Sequence, residues 1–224
     1  MIRTLSLSLM ALLAFAIGLY ALGMALVPTL RGEFVLELMA KSPPGATFHF
    51  LLGGIVLIAG ACQFSRRLRR NYLNVHRWLG RVYVSGVLIS GLAGLYLAFS
   101  ATGGVVARFG FGLLALTWLT STGLAFANIL AGHVLQHQQW MIRSYALCLA
   151  AVTLRLYIPL FAINGVSFDQ AYPAIAWLCW VPNLLVAEWL VLPRVRSGSR
   201  QEIRQGVALG GTAQGAQGAA RAQL

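Results

Sequence analysis

Apolar residues run along this chain in six long stretches separated by short polar gaps. The stretches cover about residues 5–27, 47–64, 75–99, 109–130, 140–163 and 173–192. A helix of about 20 residues crosses roughly 30 Å of hydrocarbon, and these runs are close to that length. None shows the alternation of a transmembrane β-strand. The pattern predicts an all-α polytopic membrane protein, a six-transmembrane-helix bundle filling residues 1–192. The first run follows Met1-Ile2-Arg3-Thr4, a basic start like that of a signal peptide. It outlasts the roughly 7–15 apolar residues of a signal peptide and reads as the first span.

The gaps carry the polar residues. Between the first two runs lie Glu33, Glu37 and Lys41, and residues 33–40 suit a short interfacial helix that Ser42-Pro43-Pro44-Gly45 ends. Ser65-Arg66-Arg67-Leu68-Arg69-Arg70 is a basic loop, Ala101-Thr102-Gly103-Gly104 a turn, and Asn164-Gly165 with Asp169 another. Pro193 closes the sixth run. Residues 193–224, rich in Gly, Ala, Gln and Arg, are expected to form a disordered basic tail. Six crossings put both termini on one side. That side would hold Arg3, the Arg66–Arg70 loop, Arg77, Arg81, Arg143 and the arginines of the tail; the other would hold only Arg31, Lys41 and Arg108. Basic residues stay inside, so both termini are expected in the cytoplasm of a bacterium, with the helices in its inner membrane. His76, His133 and His137 then face the cytoplasm, and His49 the opposite surface.

Composition agrees with this pattern. Of the 224 residues, 58% are hydrophobic and 10% charged, with mean hydropathy +0.74, against about 25% charged in soluble domains. The net charge of +12 would suit nucleic acid, but it is spread over membrane-flanking gaps, with no soluble basic module to present it. The expected surroundings are the lipid bilayer, with no nucleic-acid partner, and no oligomeric state is implied. Cys62, Cys148 and Cys179 fall in three different apolar runs without a CxxC pair, so neither a disulfide framework nor a thiolate metal site is indicated.

Chemistry gathers at two mouths of apolar runs: His76-Arg77-Trp78-Leu79-Gly80-Arg81-Val82-Tyr83, and His137-Gln138-Gln139-Trp140-Met141-Ile142-Arg143-Ser144-Tyr145. On a helix, His76, Gly80, Tyr83, Val87 and Gly94 share a face. That face suits close packing through small residues, or a groove that admits a flat group beside His76. His49 and Gly53 repeat the histidine–glycine spacing. His76 and His137 at one depth would suit the two axial ligands of haem b, with Arg77, Arg81 and Arg143 holding propionates and Tyr83 beside them. His133 and His137 stand at i, i+4, but Gly132 disfavours a helix through both, and no metal site is expected. Arg155 lies about five turns beyond His137, deep in the far half of the bilayer. A charge there costs at least about 2.5–3.5 kcal/mol unless paired or hydrated. It reads either as an ion pair with Asp169, Glu33 or Glu37, or as an anion or substrate contact. Glu188, with Asn183 deeper in the sixth run, reads as the partner of Arg81 or Arg143, or as a proton-carrying or metal-binding carboxylate. His49, Asn183, Arg155 and Glu188 are thus candidates for a structural polar cluster.

The two motifs, together with His49, Arg155 and the segment from Pro182-Asn183 to Glu188-Trp189, resemble a bacterial family of predicted membrane proteins with a domain of unknown function, over about residues 45–192. The resemblance implies a fold and a location but no reaction. The architecture also resembles, more loosely, b-type cytochrome bundles. The expectation is therefore a multi-pass inner-membrane protein, a non-enzymatic carrier, sensor or assembly protein; the rival reading is a haem b redox protein exchanging electrons with quinone at His76 and His137. The arginine distribution generates the first test. A reporter fused after Arg200 should read cytoplasm and one inserted at Gly103 periplasm; the reverse result would invert the placement of every histidine.

Overall fold

The computed structural model describes residues 2–193 together with Val195 and Ser197, with side chains from residue 7 onward. The expected tail therefore lies, apart from Pro193, Val195 and Ser197, outside the described residues. The chain is helical, and six helical segments are long and apolar enough to cross a membrane: Leu7–Leu26, Pro43–Gln63, Leu73–Ala98, Gly104–Leu130, Val134–Ile163 and Phe168–Val191. The elements are α1 (Ile2–Leu26), α2 (Glu33–Lys41), α3 (Pro43–Gln63), α4 (Arg66–Asn71), α5 (Leu73–Ala98), α6 (Gly104–Leu130), α7 (Val134–Cys148), α8 (Ala150–Ile163), α9 (Phe168–Leu178) and α10 (Val181–Val186).

Contacts divide the chain into a unit through Leu184 and a second from Leu185. In the first, α3 packs on α1 and α5, α6 packs on α5, α7 and α9, and α8 packs on α9. The α5–α6 turn needs Gly103 and Gly104, whose φ values of +87° and +70° strain any residue with a Cβ. The second unit carries a π-helical turn, Ala187–Val191, with Glu188 in its first turn.

Two of the spans are interrupted, and the sequence gives the reasons. Pro182 has no N–H, and its ring excludes the carbonyl four residues back, that of Leu178; α9 ends at Leu178. Thr153 Oγ1 bonds the Leu149 carbonyl at 3.0 Å, a back-bond that bends helices, and Leu149 is where α7 gives way to α8. In hydrocarbon, backbone groups freed by such breaks need partners. Asn183 serves carbonyls beside both breaks. Its carboxamide donates to the Ala146 carbonyl at 3.3 Å, the Cys179 carbonyl at 3.0 Å and Thr153 Oγ1 at 3.0 Å, and Thr153 Oγ1 also contacts the Cys179 carbonyl. One amide thus sits across both breaks.

The middle of this unit is closed by tyrosines. Tyr83 is fully buried; its hydroxyl bonds Ser144 Oγ at 2.8 Å, which bonds Thr122 Oγ1 at 2.7 Å. Tyr145 donates to the Leu57 carbonyl at 3.0 Å. Both rings lie on Gly60, where a Cβ would collide with each. Asn183→Leu keeps the volume and removes the donors. It should lower stability by about 1–3 kcal/mol, read as a lower unfolding midpoint in detergent; an unchanged midpoint would mean the breaks do not depend on the amide.

Candidate functional site

Polar side chains collect at two ends of the first unit. At the end marked by the Arg66–Arg70 helix, the Gln63 amide donates to the His76 carbonyl at 3.0 Å and Arg69 donates to the Gln63 carbonyl at 3.0 Å. Burial and the charge of Arg66 pull the Arg69 guanidinium below its ordinary pKa. Gln63 Oε1 and His76 Nδ1 are buried without hydrogen-bond partners. His137 bonds the Ala125 carbonyl through Nδ1 at 2.8 Å, which places the proton on that nitrogen. His137 is near enough to His76 for their charges to interact. Gln63 borders the space beside Gly80, its Nε2 lying 3.7 Å from where a Cβ would stand, an ordinary contact distance.

The other residues expected around a cofactor have separate surroundings. Arg77 is exposed. Arg81 lies 5.3 Å from the ring centre of Trp78 and Arg143 4.5 Å from that of Trp140, each a cation–π contact along its own helix. Tyr83 is enclosed between helices and bonds Ser144. Among the described residues no group of three or more His, Cys, Asp or Glu side chains could hold a metal ion.

The opposite end holds a cavity of about 520 Å³ walled by α1, α2, α3, α5, α6, α7, α8 and α9. Its lining is mostly apolar, and His49, Arg155 and Tyr172 bring it polar groups. His49 is clasped to α5. Its Nδ1 bonds the Ser90 carbonyl at 3.0 Å, and Ser90 Oγ donates to the His49 carbonyl at 3.0 Å. A carbonyl only accepts, so Nδ1 carries the proton and Nε2 keeps a lone pair. Close approach is possible because position 94 is glycine; a Cβ there would lie 3.0 Å from His49 Nδ1 and Cε1.

Arg155 reaches this cavity from α8. Its Nη1 donates to the Ala151 carbonyl at 2.8 Å, and its guanidinium lies 5.5 Å from the ring centre of Tyr20. It forms no salt bridge among the described residues, so the ion pair with Asp169, Glu33 or Glu37 is not made. Glu37 pairs instead with Lys41 at 4.0 Å on α2. Tyr172 lies near Arg155, its ring packed against Phe34, Phe111 and Phe168. Its hydroxyl has no hydrogen-bond partner among the described residues.

The family described as predicted membrane protein (DUF2306) matches residues 46–191. The chain belongs to this family. No curated protein and no solved structure matches the chain. The DUF2306 span contains His49, Tyr172 and Arg155, while α1 and α2, which complete the cavity wall, precede it. Sequence reasoning had reached Arg155 through its depth and His49 through its spacing. It missed Tyr172, because an expected sixth run starting at residue 173 left that residue outside the span, whereas α9 begins at Phe168. Glu188 belongs to the second unit, and Asn183 serves the helix breaks. The His49 clasp yields a test. Gly94→Val drives a branched side chain into the imidazole and should destabilise by about 1–3 kcal/mol, read by thermal unfolding in detergent. Wild-type stability would mean the ring is not held there.

Proposed function

We propose that this multi-pass DUF2306 protein is a non-enzymatic carrier or sensor that holds a lipophilic ligand in the cavity of His49 and Arg155. The observation that carries the reading is the guanidinium of Arg155, which borders a mostly apolar cavity at membrane depth and makes no salt bridge among the described residues. A buried charge left unpaired costs several kcal/mol, and a bound polar head group offsets that cost. The cavity lies in the range of about 300–1,000 Å³ typical of pockets that enclose one small molecule. On the arginine distribution, the protein sits in a bacterial inner membrane with both termini cytoplasmic, and the cavity occupies the periplasmic half.

A second reading keeps the other end. His76 and His137 lie close enough to interact, and His76 Nδ1 has no partner, as a haem b site exchanging electrons with quinone would require of facing imidazoles. Gln63 borders the Gly80 face that a flat group would meet.

Native mass spectrometry of detergent-purified protein separates the readings. Wild-type protein should retain a small lipophilic molecule and Arg155→Met should lose it, while unfolding no earlier than wild type, since an unpaired charge has been replaced by an apolar chain of similar length. Empty wild-type protein, or equal retention by both, would overturn the carrier reading. No Soret band is expected. One that sharpens on reduction and disappears in His76→Ala and His137→Ala would put the haem reading in its place.

A further inference from the structure

We propose that the ligand of this cavity is a single-chain lipophilic carboxylic acid, bound as the carboxylate between Arg155 and the Tyr172 hydroxyl. This rests on the carrier reading and adds the chemical class of what is carried.

The charge on the wall sets the charge of the head group. Four charged side chains border the cavity: Arg155, Lys41, Glu33 and Glu37. Lys41 and Glu37 pair with each other, and both are well exposed, at 50% and 64%. Glu33 is exposed as well, so the remaining interior charge is one guanidinium. A monoanion neutralises it, whereas a phosphate monoester would bring a second negative charge with no basic group to meet it. The volume of about 520 Å³ is that of a pocket for one small molecule, which favours one chain over a two-chain glycerolipid.

The donors suit a carboxylate. One N–H of Arg155 Nη1 is committed to Ala151 and one face of the guanidinium to Tyr20. Its other edge keeps free N–H groups, and a planar guanidinium edge matches the two oxygens of a carboxylate in a bidentate pair. Tyr172, only 7% exposed, has a hydroxyl that is neither hydrogen-bonded nor sealed from the space beside it, so it can donate to the same head group. His49 sets a limit. With its proton held on Ser90, its Nε2 lone pair repels acceptor oxygens, so anionic oxygens belong at Arg155 and Tyr172, and apolar or donor atoms belong along His49. The chain of the ligand then runs over the apolar side chains of α1, α3 and α6.

The test uses the full chain in lipid nanodiscs and four probes read by native mass spectrometry and thermal shift: hexadecanoate, hexadecanol, hexadecyl phosphate and a short-chain ubiquinone. Hexadecanoate should bind at least about tenfold more tightly than hexadecanol, the loss expected when a charge-assisted hydrogen bond is removed. Arg155→Met should erase that preference. Arg155→Lys, which keeps the charge without the planar edge, should retain part of it. Tyr172→Phe should weaken hexadecanoate several-fold and leave hexadecanol unchanged. Equal binding of acid and alcohol, a preference that survives Arg155→Met, or tighter binding of the phosphate or the quinone would overturn the carboxylate assignment while leaving a lipophilic ligand in place. Failure of all four probes, with no endogenous molecule retained, would remove both readings.

Discussion

The carboxamide of Asn183 governs the geometry of the first unit. Membrane interiors hold no water to satisfy a broken backbone, so a helix can break there only where another group takes over its hydrogen bonds. Asn183 and Thr153 do this at two breaks together, at Leu149 and at Cys179. Arg155 lies two residues beyond Thr153, so the same repair that permits the break also determines where the guanidinium emerges.

The six spans were legible in the sequence because they depend on length and hydropathy alone. Arg155 stood out for a related reason: one charge in an apolar run has no bland surroundings. What it faces was not legible. The acids expected to neutralise it are few, and proximity in the sequence gaps suggested a pair, but Glu37 instead meets Lys41 one turn along its own helix. The helix breaks were hidden as well. Pro182 announces one, yet the partner that makes it tolerable is an asparagine whose acceptors lie up to 37 residues away. At position 80 a glycine beside a histidine reads as open space, and what the sequence does not reveal is that a glutamine from α3 borders it.

The two polar ends differ in kind. Around His76 and His137, arginines stack on tryptophans of their own helices, His137 bonds the Ala125 carbonyl and Gln63 bonds the His76 carbonyl, contacts that fasten loops and helix starts. Around His49 and Arg155, the wall is apolar and α2 completes it from outside the family match. A buried charge with no opposite charge paired to it carries information that an ion pair does not, and this directs attention to the second end even though the first has the more conspicuous motifs.

Between these ends lies the row of hydroxyls Tyr83, Ser144 and Thr122. Thr122 donates to the Trp118 carbonyl at 2.8 Å, and a carbonyl cannot donate back. Thr122 must therefore accept from Ser144, and Ser144 from Tyr83, so every proton in the row points the same way. A relay that conducts protons has to reverse all its members after each passage; this one is pinned at its last link. The row therefore works as a strut with a fixed proton order, tying α5, α6 and α7 together.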